Sequence, residues 1–252
     1  MLFDVHAHLM SSEFDADRLE IVLECQRKGI NVIISATSPD EIAAGINLVG
    51  EHDNLHLTAG LNPSTATGDD FSKLISLLKR HKSDLAGIGE VGLDYYWIKD
   101  EAKRSAQRKM FEDFVNYSIR EKLPLIVHSR DAEEDALNIL EEAGCSALMH
   151  CFSGSLEQAL RAVELSCLIS IPTSISYSKA KQRLAAELPL EHMVLETDAP
   201  YLSPIRGERN TPLNVGKAAE VVAELKKTRI SSVADITTAN ATRFFNLNVE
   251  LF

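Results

Sequence analysis

The four cysteines of this 252-residue chain, Cys25, Cys145, Cys151 and Cys167, contain no C-x-x-C pair. In a chain long enough to bury a sizeable core they read as reduced, mostly buried thiols rather than as a disulfide framework. No run approaches the roughly 20 apolar residues that a membrane-spanning helix needs, which excludes such a span. Positive charge is scarce: 26 Lys plus Arg stand against 37 Asp plus Glu, for a net charge of -11. That excludes a broad basic surface for tight, non-specific duplex binding. It leaves open a nucleic acid held in one local pocket, above all where a bound metal reverses the local sign. No Pro/Gly/Ser-rich linker and no step in composition divides the chain, so residues 1–252 read as a single domain. Met1-Leu2-Phe3-Asp4 opens with neither a basic nor an apolar leader, and the expected compartment is the cytoplasm.

What remains is an ordinary globular composition, 45% hydrophobic and 25% charged. Short runs rich in Val, Ile and Leu lie at 2–6, 30–35, 55–61, 85–89, 123–128, 147–150, 168–171 and 193–195. They lack polar alternation, as expected for strands buried on both faces of a parallel sheet. Amphipathic stretches such as 17–28, 72–80, 104–120 and 132–142 separate them. Ser38 before Pro39 reads as a helix start, and Gly144 as a helix stop. Eight such units of about 30 residues predict an α/β fold, a single (β/α)8 TIM barrel, with an open doubly wound sheet as the competing architecture. The longest irregular stretch, 200–214, holds three of the eight prolines, and ordered loops of that length are usually functional.

Chemistry gathers where the strands end. His6 and His8 form an H-x-H, and residues two apart on extended backbone point the same way. His128 and His150 end the fifth and sixth runs; Glu90 and Asp198 follow the fourth and eighth. In a barrel all six fall on the carboxyl-end rim, where active sites are built. One such histidine alone reads more readily as a hydrogen-bonded core residue or a strand-end cap. Six potential ligands on one rim read as a site for borderline divalent ions such as zinc or manganese.

The motifs Phe3-Asp4-Val5-His6-Ala7-His8, Gly89-Glu90-Val91-Gly92-Leu93-Asp94, Val127-His128-Ser129-Arg130, His150-Cys151-Phe152-Ser153-Gly154 and Glu196-Thr197-Asp198-Ala199-Pro200-Tyr201-Leu202 follow one another in order. With Arg206-Gly207-Glu208-Arg209-Asn210-Thr211-Pro212 and Asn240-Ala241-Thr242-Arg243-Phe244-Phe245 they cover essentially the whole chain. This set resembles the TatD family of metal-dependent deoxyribonucleases, within the amidohydrolase superfamily. The resemblance implies two divalent ions (Mg, Mn or Zn). His6, His8, Glu90 and Asp198 would hold the more buried ion, and Glu90 would bridge to a second held by His128 and His150. Glu90 would stand where related amidohydrolases often carry a carboxylated lysine. Asp198 would act as general base beside Glu90. The implied activity is phosphodiester cleavage, 3′→5′ on single-stranded or frayed DNA. The same site suits an ester or amide, including aminoacyl-tRNA, and a non-catalytic metal-stabilised module is a further alternative.

Second-tier candidates have two readings each. Arg130 fits either a phosphate oxygen or an ion pair with Asp131 or Glu133. Arg206 and Arg209 fit either phosphate or the rim itself, Glu208 included. Tyr95 and Trp97, the latter the only tryptophan, fit either a stacked base or packing against the next helix. Glu196 reads as a group that orients a histidine, and Cys151 as packing. The family usually shows a Gly-x-His-Pro-His type motif after strand three, where this chain has Gly60-Leu61-Asn62-Pro63-Ser64. Asn62 donates and accepts hydrogen bonds but cannot shuttle a proton. The expected partner is single-stranded DNA as substrate, the expected state a monomer.

Overall fold

The computed structural model describes residues 1–247. Eight strands form one sheet in sequential order, every neighbouring pair parallel. They are β1 (Leu2–Ala7), β2 (Ile30–Ala36), β3 (Leu55–Ala59), β4 (Gly87–Asp94), β5 (Leu125–Arg130), β6 (Leu148–Met149), β7 (Leu168–Pro172) and β8 (Met193–Glu196). Between and after them lie α1 (Arg18–Arg27), α2 (Pro39–Val49), α3 (Gly68–Arg80), α4 (Glu101–Glu121), α5 (Glu133–Ala143), α6 (Leu156–Glu164), α7 (Lys179–Glu187), α8 (Val215–Lys226) and α9 (Ile230–Phe244). This is the expected (β/α)8 barrel, not an open sheet.

The seam between β1 and β8 closes largely through polar groups. Ala7 bridges Ala199 in parallel, Asp198 N–H donates to the His6 carbonyl at 2.9 Å, and His8 N–H donates to the Ala199 carbonyl at 2.7 Å. The fully buried Asp4 carboxylate accepts from the Thr197 amide at 2.8 Å and from its hydroxyl. Two apolar layers frame the barrel. Phe3, Val5, Ile33, Ile126, Leu148 and Val194 form an inner plug that ends on Ala241 and Phe245. The opposite strand faces, Val32, Ile34, Leu57 and Ile169 among them, pack under the helices. His128, His150 and Glu196 lie two residues beyond Ile126, Leu148 and Val194, so they share the plug's face and stand one layer above it.

Helix starts follow local chemistry. Ser38 accepts from the Glu41 amide with Pro39 just inside α2, and Gly144 ends α5 at φ 62°. The third helix begins four residues before the expected 72, because Thr67 and Asp70 form a reciprocal capping box. The fourth strand differs most from expectation. The sequence run ends at 89, before Glu90, whereas β4 continues to Asp94 and places Glu90 within the strand, at the register shift between Ile88 and Val91. Two glycines allow close approach of the backbones: a Cβ on Gly92 would lie 2.1 Å from the His128 carbonyl oxygen, and one on Gly60 2.1 Å from that of Glu90. Likewise β5 runs on to Arg130, so His128 lies within it and not at its end.

Candidate metal centre

At the carboxyl end of the barrel, His6 Nε2 lies 3.2 Å from His8 Nε2, 3.5 Å from Glu90 Oε2 and 3.8 Å from Asp198 Oδ1. His8 Nε2 approaches the same Asp198 oxygen at 3.4 Å. His150 Nε2 lies 3.4 Å from Glu90 Oε2 and 3.9 Å from Asp198 Oδ1, and its ring stacks on His6 with centroids 3.6 Å apart. Two groups of donors therefore converge, His6 with Glu90 and His150, and His6 with His8 and Asp198, each with ligand atoms within 4.8 Å of one another. His6 belongs to both. His128 joins neither group; its Nδ1 stands 3.8 Å from Glu90 Oε2 at the edge.

Electrostatics makes this a place for positive charge. Burial, reinforced by the other histidines, holds His6 well below its ordinary value, so it stays neutral with a lone pair to offer. Burial pulls His150 the same way, but the charge and hydrogen bond of Glu196 outweigh it and push His150 up to about 10. Burial likewise opposes protonation of His8, yet its hydrogen bond to Asp198 and the charge of Glu90 raise it. Asp198 is lowered: burial raises it, and the His8 hydrogen bond with the surrounding imidazoles wins. Mixed imidazole and carboxylate donors around one cavity fit a borderline divalent cation.

Outer groups fix the donors. Glu196, fully buried, accepts from His150 Nδ1–H at 2.8 Å and from the Cys151 amide at 2.9 Å, in the orienting role read from the sequence. Two carboxylates were not singled out there. Asp4 ties Thr197, and so Asp198, to β1; burial pushes it up to about 8 against the Thr197 hydrogen bonds. Asp94 accepts from His128 Nε2–H at 3.1 Å. Strand period offered a signal for both, since Asp4 lies two residues from His6 and Asp94 four from Glu90, even spacings that share a face.

Around this centre the second-tier residues divide. Arg130 is exposed and sits 3.7 Å over the Tyr96 ring and 5.9 Å from that of Trp97, with no ion pair to Asp131 or Glu133 among the described residues. Trp97 is 65% exposed. Tyr95 does not present its ring to solvent: it is 8% exposed, donates from Oη to Asp135 at 2.6 Å and lies under the Arg104 guanidinium. Its open neighbour is Tyr96. Arg209 is engaged by Asp17 and the Glu13 carbonyl, and stacks over Phe14; Arg206 lies 4.2 Å over the Tyr177 ring. The rim thus holds both. Asn62 Oδ1 accepts from the Ser64 amide at 2.9 Å and hydroxyl at 2.7 Å, so it shapes its own turn. Asn210, buried in the 200–214 loop, donates to Thr173, Thr197 and Tyr201 and fixes the backbone around Asp198. No described helix is long and apolar enough to cross a membrane.

Comparison with known proteins agrees along the whole length. The family model described as TatD related DNase matches residues 3–246. The metal-dependent hydrolase YabD of Bacillus subtilis is 33% identical over 259 residues, covering 98% of this chain and 100% of that protein. Human deoxyribonuclease TATDN3 is 31% identical over 258 residues, covering 97% and 94%. The crystal structure of YJJV, a TatD homologue from Escherichia coli K12, superposes with a TM-score of 0.89 at 26% identity, covering 98% of each chain. The barrel, the converging donors and a family match over 3–246 lead to one conclusion: the chain belongs to the TatD-related DNase family of metal-dependent hydrolases.

Proposed function

We propose that the protein removes nucleotides from the 3′ end of single-stranded or frayed DNA, as a cytoplasmic monomer with two divalent ions (Mg, Mn or Zn). The observation that carries this reading is the convergence of His6, His8, Glu90, His150 and Asp198 at the barrel's carboxyl end. In it His6, His8, Glu90 and Asp198 would hold one ion, and Glu90, His128 and His150 would hold the other. When bound, the ions supply Lewis acidity toward a phosphoryl oxygen and offset the charge that builds up during cleavage. Asp198 takes the proton from the attacking water, with His8 and the Asn210-braced loop fixing its carboxylate. Glu196 keeps the His150 ring in one plane. Arg130 meets a phosphate oxygen, and a base stacks on Trp97, an interaction worth about 1–3 kcal/mol. A net charge of -11 makes this local grip essential, because the surface at large repels the substrate.

Digestion of single-stranded DNA labelled at its 5′ end tests the reading. Added Mg²⁺ or Mn²⁺ is expected to give a ladder shortening from the 3′ end, absent after chelation with EDTA. A metal-loaded protein that leaves the strand intact, while hydrolysing an ester or amide, would refute it.

A further inference from the structure

Asp94 uses both oxygens of one carboxylate on two different parts of the rim. Oδ2 accepts from His128 Nε2–H at 3.1 Å, and Oδ1 accepts from the Trp97 backbone amide at 2.8 Å. The residue is 4% exposed. Its own amide donates to Gln107 Oε1 at 3.3 Å, and Gln107 Nε2 donates to the Pro63 carbonyl at 2.5 Å. The end of β4 thereby joins His128, the turn carrying Tyr96 and Trp97, and the loop carrying Asn62.

His128 and His150 are held in mirror fashion. His150 gives its Nδ1–H to Glu196 and faces Glu90 with Nε2; His128 gives its Nε2–H to Asp94 and faces Glu90 with Nδ1. An ionised carboxylate only accepts, so each acid fixes which nitrogen of its partner keeps a lone pair and where that lone pair points. Glu196 does this for His150, and Asp94 is the equivalent group for His128.

We propose that Asp94 is a positioning residue that couples the two grips of this site: it aims Nδ1 of His128 at the divalent-cation cluster and pins the turn that presents Trp97 to a base. The aim of His128 requires only the cation site; the role of Trp97 rests on the nucleic-acid reading above.

The test pairs Mn²⁺ titration of the whole protein, followed by electron paramagnetic resonance without substrate, with steady-state cleavage of a single-stranded oligonucleotide. Asp94→Asn retains an oxygen for the Trp97 amide but turns an NH₂ toward His128. Its Mn²⁺ affinity at the His128 position is expected to fall 10–100-fold, with kcat reduced and KM within threefold of wild type. Asp94→Ala loses both contacts, so KM is expected to rise as well, by the factor that Trp97→Ala gives. In a His128→Ala background, Asp94→Ala is expected to cost no further Mn²⁺ affinity. A purely structural Asp94 would lower the melting temperature of the Asn variant and leave its Mn²⁺ affinity within threefold of wild type, which would overturn the proposal. So would losses that multiply in the Asp94→Ala, His128→Ala double variant. If the wild type binds Mn²⁺ but cleaves no oligonucleotide, the nuclease reading and the Trp97 half fall, and the titration alone decides the aim of His128.

Discussion

The two ends of the barrel treat histidine in opposite ways. At the carboxyl end each imidazole faces an acid: His6 with Glu90, His8 with Asp198, His128 with Asp94 and His150 with Glu196. At the amino end His56 stacks on Phe3 with centroids 5.9 Å apart, and its buried Nε2 has no partner among the described residues. His192 there gives its Nδ1–H to the Cys167 carbonyl at 3.0 Å. The ring is the same at both ends; the carboxylates differ. An imidazole backed by an acid keeps a lone pair aimed and tolerates a cation beside it, whereas one backed by a phenyl ring only packs. The contrast follows the division of labour expected of this fold, with chemistry on the carboxyl-end rim and stability at the other.

Variants at the two ends therefore separate activity from stability. The largest loss is expected for Asp198→Asn: turnover falls about 10²–10⁴-fold, the scale of general-base catalysis, with circular dichroism unchanged. Activity within tenfold of wild type would remove Asp198 from the base's role. Next comes Glu196→Gln, expected to lower metal affinity or activity about 10–100-fold by releasing His150; equilibrium metal titration measures it. Trp97→Ala is expected to raise KM for a single-stranded oligonucleotide about 5–150-fold, the equivalent of 1–3 kcal/mol of stacking, and to spare kcat. An unchanged KM would mean the ring only shields the rim.

The amino end gives the smallest effect on activity and a distinct effect on folding. Burial lowers His56 to about 4 from its ordinary 6.5, so the unfolded chain takes up its proton first as pH falls. Stability contributed by the neutral ring is complete above about 6.5 and is lost between there and about 4, amounting to about 3 kcal/mol. Urea melts of wild type and His56→Gln across that range should differ in slope, while cleavage at neutral pH stays alike. Identical pH slopes would show that His56 is more hydrated than its packing implies.

Much of the carboxyl end could be read in the chain. His6, His8, Glu90, His150 and Asp198 each sit near the end of an apolar run, and strand geometry carries those ends to one rim. Harder to read was anything set by neighbouring strands. Glu90 reads in the sequence as following the fourth run, and only the close approach of β4 to β5 explains the glycines that flank it, Gly89 and Gly92. Tyr95 and Trp97 looked alike in sequence; the partner that buries one, Asp135, lies 40 residues away. Asp94 was legible as the end of a motif but not as the acid behind His128, which lies 34 residues on. Arg209 shows the same limit, because its partner Asp17 is 192 residues distant.

The most direct measurement is the stoichiometry of Mn²⁺ bound at equilibrium by wild type and by His6→Ala, since His6 belongs to both donor groups. Two ions per chain are expected for wild type and fewer than one for the variant, with folding retained. No saturable binding by wild type, or equal binding by both proteins, would contradict a divalent-cation centre at the carboxyl end of the barrel.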